Sequence, residues 1–270
     1  MERIKKTDTS GPLVSIITVT LNPGAQLLRC LDSVTGQTYP NVEHIVVDGG
    51  STDGTRELLA KREGLRWLSE PDKGIGDAFN KGISMAKGQL LGILNADDFY
   101  EPDAVERAVK RIGVADVVHG PIRYWKGERL DCLYHPNDAL LERDMTIGHP
   151  SVFVTRQTYE QWGVFDTTLK YAMDYELVLR FKRQGARFAT EKLPMANMSL
   201  DGMSDRNWYK GYWEVARAQW MHLGNDPRIP LRLTKHLVRS AARRILESVG
   251  LVGLVDFYRR RCAMVKKDRG

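Results

Sequence analysis

Cysteine is scarce in this chain, and long apolar runs are missing. Only Cys30, Cys132 and Cys262 occur, with no CxxC pair and in an odd number that cannot all pair internally, which argues against a disulfide framework and for a reducing compartment. The longest wholly apolar or glycine run covers only residues 249–255, far short of the roughly 20 residues a spanning helix needs. No transmembrane helix is expected. The opening stretch MERIKKTDTSGP lacks the apolar segment of a secretory leader, so the sequon Asn197-Met198-Ser199 is read as chance. Disorder is excluded too, because 42% apolar and 27% charged residues match ordinary globular chains.

The 270 residues suit one large α/β domain or a domain with an appendage. Residues 228–270 hold twelve Lys/Arg against three Asp/Glu, leaving 28 against 31 elsewhere. A basic tail on a near-neutral body points to a polyanionic partner, a membrane surface or a nucleic acid.

Leu13–Leu21 is rich in β-branched residues and stops at Asn22-Pro23-Gly24, which reads as a buried strand. A helix over about 25–34 and a strand over 42–48 follow. The alternation continues with a helix near 55–62, a strand at 65–69, a loop at 71–76, a helix through 80–86 and a strand over 89–94. Successive βα units imply a mostly parallel sheet with helices on both faces, and ligands of such sheets bind beyond the carboxyl ends of the strands. Thr20/Asn22, Asp48/Asp53, Asp72/Lys73 and Asp97/Asp98 all fall at those ends. Past Pro102 the pattern loosens, with strands at 117–119 and 130–134 and a helix over 175–183; from Pro227 the chain reads as basic and helical.

Two adjacent carboxylates, Asp97 and Asp98, suit a hard divalent cation bridging a diphosphate; the alternative is a helix start near Pro102 capped by Asp98 or Asp103. Gly74-Ile-Gly76-Asp77-Ala78-Phe79 imitates a dinucleotide fingerprint, but Phe79 stands where a third small residue belongs. VVDGGSTDGT likewise lacks the second aspartate of a phosphatase signature, because Gly50 occupies its place.

Ser15-Ile-Ile-Thr-Val-Thr-Leu-Asn22, Gln37-Thr-Tyr-Pro40, Val46-Val-Asp-Gly-Gly-Ser-Thr-Asp-Gly-Thr55, Glu70-Pro-Asp-Lys-Gly74 with Asn80-Lys-Gly82, and Asn95-Ala-Asp-Asp98 resemble, in order and spacing, the family 2 glycosyltransferases of the GT-A fold. The resemblance covers about residues 13–205. It implies a GT-A-type α/β fold, a mostly parallel, mixed sheet flanked by helices, with a basic helical extension at the C-terminus. The implied division is a nucleotide-binding half over about 13–112 and an acceptor half over about 113–226, together the domain 1–226, followed by an amphipathic tail, 227–270.

By the same resemblance Thr20, Asn22, Asp48, Lys73, Asn80, Asn95 and Asp97 lie at the nucleotide sugar, with Thr20 and Asp48 at base and ribose and Lys73 near the diphosphate. Asp98 holds Mg²⁺ or Mn²⁺. His149-Pro-Ser-Val-Phe153, Gly163-Val-Phe-Asp166 and Tyr171-Ala-Met-Asp-Tyr-Glu-Leu177 resemble the acceptor half, which makes Asp174 the general base and places His149 and Glu176 at the acceptor. Asp53 reads more simply as a cap for the helix at Thr55, Asn80 as a loop support, and His149 equally as a packed turn residue. Departures from the family pattern are Met173 in place of a frequent Glu, Gly76 in place of a frequent Tyr, and Asp201-Gly-Met-Ser204 for a glycine-serine loop.

The implied reaction is inverting transfer from a nucleotide-diphosphate sugar, a UDP-sugar first, to a saccharide or lipid-linked saccharide in envelope or exopolysaccharide synthesis, with the enzyme peripheral at the cytoplasmic face of the membrane. The tail supports an anionic membrane contact, since Arg232, Lys235, Arg239 and Arg243 recur beside Leu237, Ala241, Ile245 and Val249, and Leu251, Leu254, Tyr258, Cys262 and Val265 continue the stripe; docking on the parent domain explains the same stripes. Two rival functions fit less well. A nucleotidyltransferase wants a longer basic first loop than Asn22-Pro-Gly, and a nucleic-acid binder wants more stacking aromatics in the tail than Phe257 and Tyr258. No nucleic-acid partner is expected.

Overall fold

A computed structural model describes residues 11–199, 207–250 and 267–268. Its centre is β1 (Val14–Thr20), every side chain of which is buried. β2 (Val42–Asp48) and β4 (Leu90–Asn95) flank it in parallel, and β3 (Leu65–Ser69) extends the sheet beyond β2. β6 (Val117–His119), β9 (Phe153–Thr155) and β10 (Phe188–Thr190) complete seven strands in the order β10-β6-β9-β4-β1-β2-β3, with β9 antiparallel to β4 and β6. The mostly parallel, mixed sheet expected from the sequence is therefore present.

Alternate strand residues face opposite sides, so one strand feeds two cores. Ile17 and Val19 pack with Phe79 and Ile83 of α3 (Ile75–Met85) and with Leu177, Val178 and Phe181 of α6 (Met173–Arg183). Val14 and Ile16 pack instead with Cys30 and Val34 of α1 (Gln26–Thr35) and Val105 of α4 (Ala104–Val109). Both Cys30 and Cys132 are buried free thiols, and burial pushes the Cys30 thiol up to about 12. Cys262 lies outside the described residues.

α3 begins five residues before the expected Asn80. Gly74 opens it at φ 128°, and Asp77 reaches back to accept from the Lys73 amide at 3.1 Å, as an acid in a first helical turn does. Gly82 on this helix is where the backbone comes closest to the sheet, since an added Cβ would collide with Ile17.

A second sheet went unrecognised in the sequence. β5 (Phe99–Tyr100), β7 (Ile122–Lys126), β8 (Arg129–Tyr134), β11 (Ala196–Ser199) and β12 (Lys267–Asp268) take the order β12-β8-β7-β11-β5. Its strands are short and, apart from the β7–β8 hairpin, pair far apart in sequence, which leaves little periodicity to read. Asn197 of the sequon is 2% exposed here and exchanges hydrogen bonds with Trp125 and Glu101, so the folded site is closed to glycosylation.

α2 (Thr55–Ala60) and α5 (Arg156–Trp162) are short; α7 (Trp208–Leu223) and α8 (Arg228–Ser248) are long. α8 buries Ile229 and Leu233 against Ala216 and Tyr212 of α7, and Arg232 donates to the Glu142 carbonyl at 2.7 Å. The first part of the basic tail is thus packed on the domain. Residues 251–266, with the second expected stripe, lie outside the described residues. Among the described residues no helix is long and apolar enough to cross a membrane.

Candidate active site

Register builds the site. Thr20 pairs with Asp48, Asp48 with Ser69, and Val19 with Asn95, so Thr20, Asp48 and Ser69 end their strands in one row, with Asn95 ending β4 one residue short of it. Asp48 is fully buried, yet its charge is met: Ser51 donates through its amide at 3.0 Å and its hydroxyl, and Ser69 through its hydroxyl at 2.6 Å. Neither serine was singled out in the sequence, because only pairing of β2 with β3 brings Ser69 to Asp48.

Asn22 sits at φ 48°, a left-handed conformation that asparagine tolerates. Its carbonyl oxygen accepts from the Thr52 amide at 2.9 Å, tying the first loop to the second. Asp53 accepts from the Thr55 amide at 3.2 Å and the Gly24 amide at 3.0 Å, a cap and a tether together. Lys73 is exposed at the head of α3, and no ion pair to its ammonium forms among the described residues. Lys81 does the opposite: it pairs with Asp72 at 2.7 Å and Glu70 at 2.9 Å. Partial burial opposes its charge, and those carboxylates outweigh it and raise its pKa.

Thr20 Oγ1, Asn95 Oδ1 and both carboxylate oxygens of Asp98 are buried without a hydrogen bond of good geometry among the described residues. Such orphans are rare and call for an explanation. Asp98 is 1% exposed; burial first, then the Asp97 charge, pushes its carboxyl well above the usual range, against the Ser199 amide and Asn95. A buried oxygen pair of this kind, with a second carboxylate beside it, suits Mg²⁺ or Mn²⁺. No group of three or more His, Cys, Asp or Glu that could hold a metal gathers among the described residues, so part of a coordination shell would come from diphosphate oxygens and water.

The acceptor half arrives from α6. Asp174, in its first turn, accepts from the Tyr175 amide at 2.8 Å and lines a cavity of about 10 Å³ with His149 and Phe165. Burial pushes the Tyr124 hydroxyl up, with smaller contributions from the charges of Asp98, Cys132 and Asp174. The His149 ring lies tilted against Phe79 with centroids 5.2 Å apart, and its Nε2 is another buried orphan. Burial pushes its imidazole down, opposed by Asp174. Glu176 points elsewhere: Arg180 donates to it at 2.9 Å and it meets His222 at 2.6 Å. Burial alone would raise its carboxyl, but these partners hold it below the ordinary range. Asn80 exchanges two hydrogen bonds with the Phe165 backbone. The structure thus gathers Thr20, Asp48, Asn95, Asp97 and Asp98 at the strand ends, while the side chains of Asn22, Asn80 and Glu176 are engaged by neighbouring protein groups.

A seven-stranded, mostly parallel α/β sheet with polar residues at its carboxyl ends has the architecture of the GT-A type. The sequence matches the profile of "Glycosyl transferase family 2" over residues 15–182, and the chain belongs to that family. Chondroitin synthase of Pasteurella multocida is 29% identical over 197 residues, covering 64% of this chain and 19% of that protein. The chain therefore spans about a fifth of that relative. S. aureus TarS 1–349 in complex with UDP-GlcNAc superimposes with TM-score 0.62 at 18% identity, over 83% of this chain and 71% of that one. A mannosyltransferase of Pyrobaculum calidifontis in complex with GDP-Man and Mn²⁺ gives TM-score 0.62 at 20% identity, over 92% and 82%. At these identities the superpositions establish the fold.

Proposed function

We propose that this chain transfers a sugar from a nucleotide diphosphate to an acceptor hydroxyl with inversion. The observation that carries the reading is the set of buried, unpaired oxygens of Thr20, Asn95 and Asp98 at the ends of β1 and β4. Family membership and neighbours holding UDP-GlcNAc and GDP-Man support a nucleotide-sugar donor, with a UDP-sugar the first choice.

In this reading Thr20 and Asp48 receive the nucleoside, Asp97 the ribose region, and exposed Lys73 the diphosphate. Asp98, with Asp97 beside it, would hold Mg²⁺ or Mn²⁺; such a cation, when bound, neutralises charge on a departing diphosphate. Asp174 takes the proton of the acceptor hydroxyl, the freed oxygen bonds to the anomeric carbon, and the bond to the diphosphate oxygen breaks with its electron pair. His149, beside Asp174 in the cavity, faces the acceptor. A panel of nucleotide sugars assayed for metal-dependent release of nucleoside diphosphate tests the reading, and NMR of the product gives the anomeric configuration. No release from any donor, or product of retained configuration, would overturn it.

The acceptor in this reading is a saccharide, lipid-linked where the enzyme works at a membrane. α8 supports the membrane part: opposite its docked face, Leu231, Val238 and Ile245 are 70%, 62% and 63% exposed, near Lys235 and Arg239. Apolar residues flanked by cations suit an anionic bilayer interface. Introducing carboxylates with Val238→Glu and Ile245→Glu in the full chain should abolish co-sedimentation with phosphatidylglycerol vesicles and spare donor turnover. Unchanged sedimentation would remove the membrane contact from this face.

A further inference from the structure

α6 begins without a side-chain cap of its own. Its N-cap residue is Ala172, which has no side-chain acceptor to offer the free amides of a first turn. A carboxylate from another helix fills that place. Glu214 of α7 accepts through Oε2 from three consecutive backbone amides, Lys170 at 2.9 Å, Tyr171 at 2.6 Å and Ala172 at 3.0 Å. The segment so gripped ends two residues before Asp174.

We infer that Glu214 is a positioning residue for the transfer reaction: by gathering the amides of residues 170–172 on one oxygen, it sets the angle at which α6 presents Asp174 to the acceptor hydroxyl. The inference rests on Asp174 being the base. Its physical reason is that three charge-assisted hydrogen bonds to one acceptor leave the turn a single arrangement, whereas water would satisfy the same amides in many. A base must meet its proton within hydrogen-bond reach, and displacement of about 1 Å costs on the order of 10²-fold in rate.

α7 reinforces the grip further along. Gln219 donates to the Tyr175 hydroxyl at 3.0 Å, and His222 meets Glu176 at 2.6 Å. Those contacts fix the side of α6, while Glu214 alone among the three acts on the backbone that leads into Asp174. Nothing in the catalytic motifs marks Glu214, which lies 40 residues past Asp174.

A double-mutant cycle separates positioning from plain helix capping. Nucleoside diphosphate release is measured for wild type, Glu214→Ala, Asp174→Asn and the double variant, using the nucleotide sugar with the highest turnover in the donor panel. Glu214→Ala should lower kcat by about 10- to 100-fold with the donor KM within about two-fold, following the cost of misplacing a reacting group. In the Asp174→Asn background the same change should cost less than about two-fold, because a lost base has nothing left to misplace. Glu214→Gln, which keeps an acceptor oxygen, should recover most of kcat. An equal loss from Glu214→Ala in both backgrounds, or a donor KM that rises in step with the fall in kcat, would overturn the inference. Wild-type turnover by Asp174→Asn would remove the base assignment first. Should Glu214→Ala not fold, Glu214→Asp, which withdraws the oxygen by one methylene, takes its place in the cycle.

Discussion

Asn80 and Phe165 hold each other by two hydrogen bonds, the Asn80 amide donating to the Phe165 carbonyl at 2.9 Å and the Phe165 amide to Asn80 Oδ1 at 3.0 Å. Phe79 and Phe165 pack at a tilt beside this clasp with ring centroids 4.8 Å apart. Helix α3 is thereby fastened to the segment that precedes Asp166, 85 residues further along the chain. Asn80→Ala should cost about 1–3 kcal/mol of stability, the penalty for leaving half-buried backbone groups unpaired, and should lower kcat more than donor affinity. Thermal unfolding and donor calorimetry check it. Weaker donor binding at unchanged stability would instead put Asn80 on the nucleotide.

Asp98 is a buried carboxyl beside the Asp97 charge, and burial first, then that charge, pushes it well above the usual carboxylate range. On the proposed reading Asp98→Asn should abolish metal-dependent turnover while changing the stability of the chelator-treated protein by less than about 1 kcal/mol, because burial already favours the neutral carboxyl and a neutral amide of the same shape replaces it. Melting curves in EDTA and in Mn²⁺ give the comparison. Turnover close to wild type would dismiss the metal ligand, and a large shift of melting temperature in EDTA would show that the buried carboxyl carries its charge.

Asp174→Asn should keep donor affinity and lose about 10²- to 10⁴-fold in transfer, the usual scale for a general base. Glu176 is no substitute base in this structure, because Arg180 and His222 occupy its carboxylate. Glu176→Gln should accordingly lower the melting temperature first and leave per-molecule turnover within a few-fold. Transfer that survives in Asp174→Asn but vanishes in Glu176→Gln would reverse these roles.

His44 is buried on β2 with Nε2 2.9 Å from Thr18 Oγ1, and burial, aided by Arg62, lowers its pKa from 6.5 to about 3. The unfolded chain binds this proton more readily than the folded one, so stability from His44 is present above about 6.5 and is lost as pH falls toward about 3. His44→Gln should flatten the decline of denaturation free energy across that window. An identical slope in both proteins would show that other groups drive the acid response.

Much of the nucleotide half was legible in sequence. The run from Val14 to Thr20 and that from Val42 to Asp48 are apolar and β-branched throughout, and a strand buried on both faces must read that way. Polar residues interrupting such strands at their carboxyl ends had few places to go except the crevice. The acceptor half was harder. β7 and β11 pair through partners more than 70 residues apart, Arg123 with Asn197 for instance, and α7 carries polar and aromatic residues on most of its surface without a clean stripe.

Sequence by itself determined the order of βα units, the identity of the strand-end polar residues and the basic character of the tail, because each follows from local periodicity and composition. Tertiary structure alone decided which of those polar residues remain open to a ligand. Asn22, Asn80 and Asp53 carry the same functional groups as Asn95 and Asp97, yet backbone groups of distant segments, at Thr52, Phe165 and Gly24, have already claimed them. Hydrogen-bond partners at long sequence separation are set by how the two halves close on each other, and no short pattern in the chain encodes that closure.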